Sequence, residues 1–200
     1  MVSKDREYLA FEMRAKDDEK MIVEGYAAVF EQETVLYSYD GIDYKESIDK
    51  NAFNATEMAD VVMNFNHEGK PVARTKNNTL ALKVDETGLK IRASLSGTEE
   101  ARRLYEEIKG GYIDKMSFAF TVSEDTYDRE THTRRILKFK RLYDVAAVDV
   151  PAYDQTSIAA RSYLTAEAEK ERAEACKTEQ QKKKIKLLLE VRKWKSKKCI

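Results

Sequence analysis

From Met116 to Val122 bulky and small residues alternate without a break. Met116, Phe118, Phe120 and Val122 stand on one parity, and Ser117, Ala119 and Thr121 on the other. Successive side chains of a strand point to opposite faces, so this pattern sets a large apolar face against a small one. A segment of this kind belongs in the middle of a sheet, with its bulky face in a core. The small face leaves room for another backbone to approach, and Ser117 lies on it. A serine in such a strand most often fills space and bonds a neighbouring carbonyl, so the pattern alone leaves its role open.

Other segments agree with a mainly β body. Leu9, Phe11 and Met13 alternate with polar residues, and Lys16 to Glu19 turn into a second strand over 21–30. The runs 79–84 and 89–95 flank Asp85-Glu86-Thr87-Gly88, which predicts a hairpin with Gly88 at positive φ. Residues 46–54 predict a short helical turn. A helix is expected after Ser96 or Thr98 as cap, with Ala101, Leu104, Tyr105 and Ile108 on its inner face and Gly110-Gly111 as its stop. Arg134 to Val150 predicts a strand pair or one long bent strand ending at Pro151. Val61, Met63, Phe65 and His67 share one strand parity, which puts the imidazole at the end of an apolar face.

Charge divides the chain where hydrophobicity does not. Lys+Arg and Asp+Glu balance at 36 each over 200 residues. Residues 164–200 hold 12 of these cations and 6 of the anions, leaving 24 against 30 in the rest. The tail lacks Gly and Pro and is rich in Ala, Glu, Lys and Leu, so it is expected to be helical. Ile185, Leu188, Leu189 and Arg192 follow helical spacing, and Leu187, Val191 and Trp194 form a second apolar edge. A solvated helix with a partner-facing stripe fits this tail. Its interleaved glutamates argue against nucleic-acid binding. No apolar run approaches the ~18 residues of a membrane span. The first residues lack a secretory h-region. Both cysteines, Cys176 and Cys199, fall in the tail, which fits a reducing cytoplasm.

Only His67 and His132 can supply imidazole chemistry. Two histidines so far apart, with no cysteine beside them, give no closed metal site. No phosphate loop or dinucleotide fingerprint is present, so the expected cofactor and metal complement is none. The segments NFNHEG (64–69), DKMSFAF (114–120) and LYDVAAVDVPAYDQTSIAAR (142–161) form an ordered set. As a set, over residues 20–160, they resemble the prohead serine proteases of tailed bacteriophages, which share a herpesvirus-assemblin-like fold.

The resemblance implies an α+β fold, an assemblin-like β-barrel surrounded by helices, over residues 1–162, with a basic helical tail over 163–200. It implies Ser117 as nucleophile and His67 as general base and acid. The family carries a carboxylate, usually glutamate, seven residues before the proline of its closing Pro-Ala pair. Asp144 holds that position before Pro151-Ala152. Asp149 and His132 are its rivals, the latter because assemblins use a second histidine. Arg161 is either an oxyanion donor, by the same resemblance, or a surface arginine. The implied function is a serine endopeptidase in an assembling prohead in the host cytoplasm. Its substrates would be scaffold, the amino-terminal extension of the major capsid protein, and itself, and it would form a homodimer. An inactive scaffolding or capsid-interaction protein on the same fold is the alternative, and an unrelated module acting through its tail is a third reading.

Overall fold

A computed structural model of the chain describes residues 7–17, 19–149 and 158–197. Residues 1–161 and 162–200 form two units, each described by itself. In the first unit the sheet is made of β1 (Glu7–Asp17), β2 (Ile22–Val29), β3 (Thr34–Tyr39), β4 (Ile42–Ile48), β5 (Val62–Phe65), β6 (Glu68–Arg74), β7 (Leu80–Val84), β8 (Gly88–Ser94), β9 (Lys115–Asp128) and β10 (Thr133–Val148). One helix, α1 (Glu99–Lys109), packs with them, so the unit is α+β. Strand order is β3-β4-β10-β9-β1-β2-β8-β7. β4 and β5 both pair in parallel with β10, β4 at Thr133–Ile136 and β5 at Asp144–Ala147, and β6 adds to β5. The β9–β10 ladder breaks register at four places. Each irregularity adds bend and twist, which curls a long sheet around its own apolar face.

That face carries the alternation expected from the sequence. Phe118 and Phe120 stack at 4.8 Å, and Phe120 meets Phe139 edge-on at 4.8 Å. Phe53 joins Phe139 at 4.5 Å and reaches Phe30 at 6.1 Å. Such ring pairs contribute about 0.5–1.5 kcal/mol each beyond the area they bury. Thr98 caps α1 by accepting the Ala101 N–H at 3.1 Å, and Ala101, Leu104, Tyr105 and Ile108 are buried as expected. β10 is one continuous strand rather than a pair.

Two expectations are corrected. Residues 46–48 finish β4, and only Asp49 onward turns, because Glu46, Ser47 and Ile48 pair with Arg134, Arg135 and Ile136. Gly88 does not adopt positive φ. A Cβ there would lie 1.9 Å from the Ala28 carbonyl oxygen, so close backbone approach is what requires glycine.

The core also holds a charge. Arg134 is fully buried and donates to Glu46 at 3.0 Å and to Asp125 at 2.7 Å. Removing one member of a buried ion cluster strands the others in low dielectric. Arg134→Met is therefore expected to cost about 3–5 kcal/mol in urea unfolding. Adding Glu46→Gln and Asp125→Asn should recover most of that loss. A single variant as stable as wild type would refute the assignment.

On the outer side of β2, Glu24 is bound by Lys16 at 2.9 Å, by Lys90 at 3.3 Å and by Arg92. The Lys16 hydrogen bond, with those of Arg92 and Lys90, outweighs burial and lowers its pKa from 4.5 to about 2. A depressed carboxylate stabilises the fold fully above pH 4.5, and the contribution is lost as pH falls toward 2. With solvent screening of the half-exposed cations, Glu24→Gln should cost about 1 kcal/mol at pH 7. The gap between the two denaturation curves should close between pH 4.5 and 2. A gap that is constant across that range would exclude the ionic origin.

The described residues of the second unit all belong to α2 (Ile158–Lys197). Ile185, Leu187, Leu188 and Leu189 are all more than half exposed along it. The side chains of Val191, Arg192 and Trp194 lie outside the described residues, as does Cys199. No helix among the described residues is long and apolar enough to cross a membrane.

Candidate active site

Ser117 sits on the small-residue face of β9, opposite Ala10 of β1 and Ala146 of β10. Ala146 in turn faces Asn64 of β5, so Ser117, Ala146 and Asn64 form one row across three strands. The next row is Ala119, Asp144 and Val62. Directly opposed residues share a face, so Asp144 stands on the Ser117 side, on the diagonal from it.

A bulge puts it there. Leu142 opposes Phe120 in the aromatic core, but Asp144 opposes Ala119, so Tyr143 is an extra residue in the ladder. Without that bulge, regular alternation from Leu142 would aim Asp144 at Phe118 and the core. The bulge reverses the parity, delivering a carboxylate to the small face and Val145 to Phe118.

His67 arrives by a turn, not along a strand face, and here the strand-parity expectation is corrected. β5 ends at Phe65, which pairs with Glu68, leaving Asn66 and His67 as a two-residue hairpin loop. Their φ angles are 51° and 61°, the positive pair of a type I′ turn. The turn swings the imidazole away from the Met63 and Phe65 side and onto the Asn64 and Asp144 side. Non-glycine residues at positive φ cost of order 1–3 kcal/mol each, so the surroundings must hold them. Asn66 does so, donating its N–H to the Ala147 carbonyl at 2.9 Å and accepting the Asp149 N–H on Oδ1 at 3.3 Å.

His67 Nδ1 meets Asp144 Oδ1 at 2.5 Å, with the carboxylate nearly buried and the imidazole largely so. The shorter aspartate therefore suffices in place of the usual glutamate. Ser117 is 1% exposed, and its Oγ has no hydrogen-bond partner among the described residues. A strand diagonal spans roughly 7–8 Å. An imidazole with a hydrogen bond of about 2.8 Å at each end spans about the same distance. Ala146 puts only a methyl group between Ser117 and Asn64 in this row.

The rivals sit elsewhere. His132 lies at the β9–β10 turn, most of the length of β10 from Asp144, with Nδ1 against the Tyr127 hydroxyl at 3.2 Å and its ring 5.3 Å from Tyr44. Asp149 is exposed just past β10, with its N–H on Asn66. The Arg161 side chain and the Pro151-Ala152 pair lie outside the described residues. Asn64 and Asn66 were not singled out from the sequence. The available signal was Asn-His itself, two residue types enriched at positive φ, between a strand and Glu-Gly.

No curated protein sequence matches the chain. A solved structure of the bacteriophage T4 capsid assembly protease, gp21, aligns over 72% of this chain and 99% of that chain, with 15% identity and a TM-score of 0.46. The sequence model of the Caudovirus prohead serine proteases matches residues 9–171, a stretch that contains Ser117, His67 and Asp144. The chain belongs to the Caudovirus prohead serine protease family.

Proposed function

We propose that the protein is a serine endopeptidase with Ser117 as nucleophile, His67 as general base and then acid, and Asp144 as orienting carboxylate. The observation that carries this reading is the His67 Nδ1 to Asp144 Oδ1 contact of 2.5 Å on the face that bears Ser117. A hydroxyl is a weak nucleophile near neutral pH and needs a base within hydrogen-bond reach. Asp144 accepts a hydrogen bond from Nδ1–H, so Nε2 is the unprotonated nitrogen that takes the Ser117 proton as Oγ attacks the scissile carbonyl. The same nitrogen then protonates the leaving amine. Water repeats the sequence on the acyl-enzyme and regenerates Ser117.

The family points to a substrate inside an assembling prohead, in the host cytoplasm. We assign cleavage to scaffold, to the amino-terminal extension of the major capsid protein, and to the protein's own chain, with the homodimer as the working form. Confinement in a shell raises the effective concentration of enzyme and substrate, so modest intrinsic affinity suffices. The exposed apolar residues of α2, set among lysines, fit a segment that docks on scaffold or is trimmed.

Wild-type protein and Ser117→Ala, each co-expressed with capsid and scaffold proteins, test this by intact-mass spectrometry of assembled proheads. New fragments with wild type alone are expected. Identical, uncut masses in both sets of proheads would favour the inactive scaffolding protein.

A further inference from the structure

A groove of about 600 Å³ runs between β6 and α1, beginning at the turn that carries His67. Its apolar lining is Phe65, Val72 and Leu104. Phe65 is 38% exposed, although its ring is among the costliest groups to leave in water. The cations on the rim are already used, Lys70 by Glu100 at 3.4 Å and Arg103 by Glu107 at 3.1 Å. Glu68, the residue after His67, completes the rim and has no ion pair among the described residues. The free charge is thus negative, and it disfavours an acidic occupant.

The backbone makes the groove more than an apolar dent. Among the described residues β6 pairs only with β5, so its outer edge is open. An open edge accepts an extended peptide as an added strand, whose alternate side chains then enter pockets beside it. Glu68, Lys70 and Val72 alternate along that edge, and all three line the groove. Both chain neighbours of His67, Asn66 and Glu68, line it too, so the groove ends at the turn that carries His67, although His67, Ser117 and Asp144 themselves do not line it.

Resting on the protease reading, we infer that this groove is a substrate subsite. It takes an extended stretch of the cleaved chain along β6 and seats one large apolar side chain, not an acidic one, on Phe65, Val72 and Leu104. The volume exceeds that of one side chain, which fits a stretch of peptide rather than a single residue.

The test is cleavage profiling of a proteome-derived peptide library with full-length wild type, Phe65→Ser and Val72→Asp. Wild type should cut peptides enriched in Leu, Ile, Met or Phe at one fixed position near the scissile bond. Both variants should lose that enrichment at least fivefold. On the best single peptide, kcat/KM should fall at least tenfold, mostly through KM. Phe65 is already exposed, so Phe65→Ser keeps the test readable if Val72→Asp fails to fold. Unchanged enrichment in Phe65→Ser, or none in wild type that cuts the library, overturns the subsite and leaves the protease standing. Wild type that cuts neither library nor capsid protein overturns the protease reading and the occupant with it.

Discussion

Ser117→Ala is expected to abolish cleavage and at the same time raise the melting temperature. The first effect follows from the role proposed for Ser117. Where serine and histidine act as one unit, losing either member costs ~10⁴–10⁶-fold in kcat. The second follows from the site's geometry. Ser117 Oγ is buried and has no hydrogen-bond partner among the described residues, and such a group carries a desolvation penalty of about 1–3 kcal/mol. Alanine fits the strand position, lies opposite Ala10 and Ala146, and removes the penalty. A gain of about 1 kcal/mol, or roughly 2–4 °C for a body of this size, is the expected outcome of calorimetry. Activity above about one per cent of wild type would remove Ser117 from the nucleophile's role. A drop in melting temperature would mean that the hydroxyl is satisfied in solution and that the hole at its position is structural.

The strand alternation around Ser117 could be read directly, because period 2 is fixed by backbone geometry and tolerates no exception within an unbroken ladder. The same rule misplaces His67 and would misplace Asp144 if carried on from Leu142, each time because the ladder breaks. Nothing in Leu142-Tyr143-Asp144 distinguishes a bulged residue from a paired one, since the register is set by partners on β9 that are distant in sequence. His67 was placed with Met63 and Phe65 because apolar alternation runs through it. The turn at Asn66 outweighs that pattern, since closing the β5–β6 hairpin in two residues requires positive φ at both. Gly88 illustrates the converse. Glycine signalled something special, but a close approach to Ala28 and a left-handed turn leave the same mark in a sequence. The three candidate residues come as a set from the resemblance to a family, whereas two of the three local conformations that bring them to one face are not legible in the sequence.

Asp144→Asn is the second large effect, and it separates orientation from mere presence. Asparagine keeps the size of the side chain between Ala119 and Val62, so the bulge and the turn should survive. Its amide can donate to His67 Nδ1, a bond that aspartate cannot make, and this favours the tautomer with the proton on Nε2. That nitrogen then cannot take the Ser117 proton. A loss of ~10⁴-fold in kcat is expected, with KM within a few-fold of wild type, because substrate binding does not pass through the carboxylate. Asp144→Glu is the informative partner. The family's more usual residue is one methylene longer, but the His67 contact is already closed at 2.5 Å in a nearly buried site. The extra methylene must displace the Asn66-His67 turn, against the Asn66 bonds to Ala147 and Asp149. Glutamate should therefore recover only part of the activity lost in the asparagine variant, and combining it with Asn66→Gly should recover more. Glycine accepts positive φ freely and releases the side-chain tie to Asp149. If Asp144→Asn instead retains wild-type kcat, the orienting role passes to another group, and the nearest carboxylate past the end of β10 is Asp149.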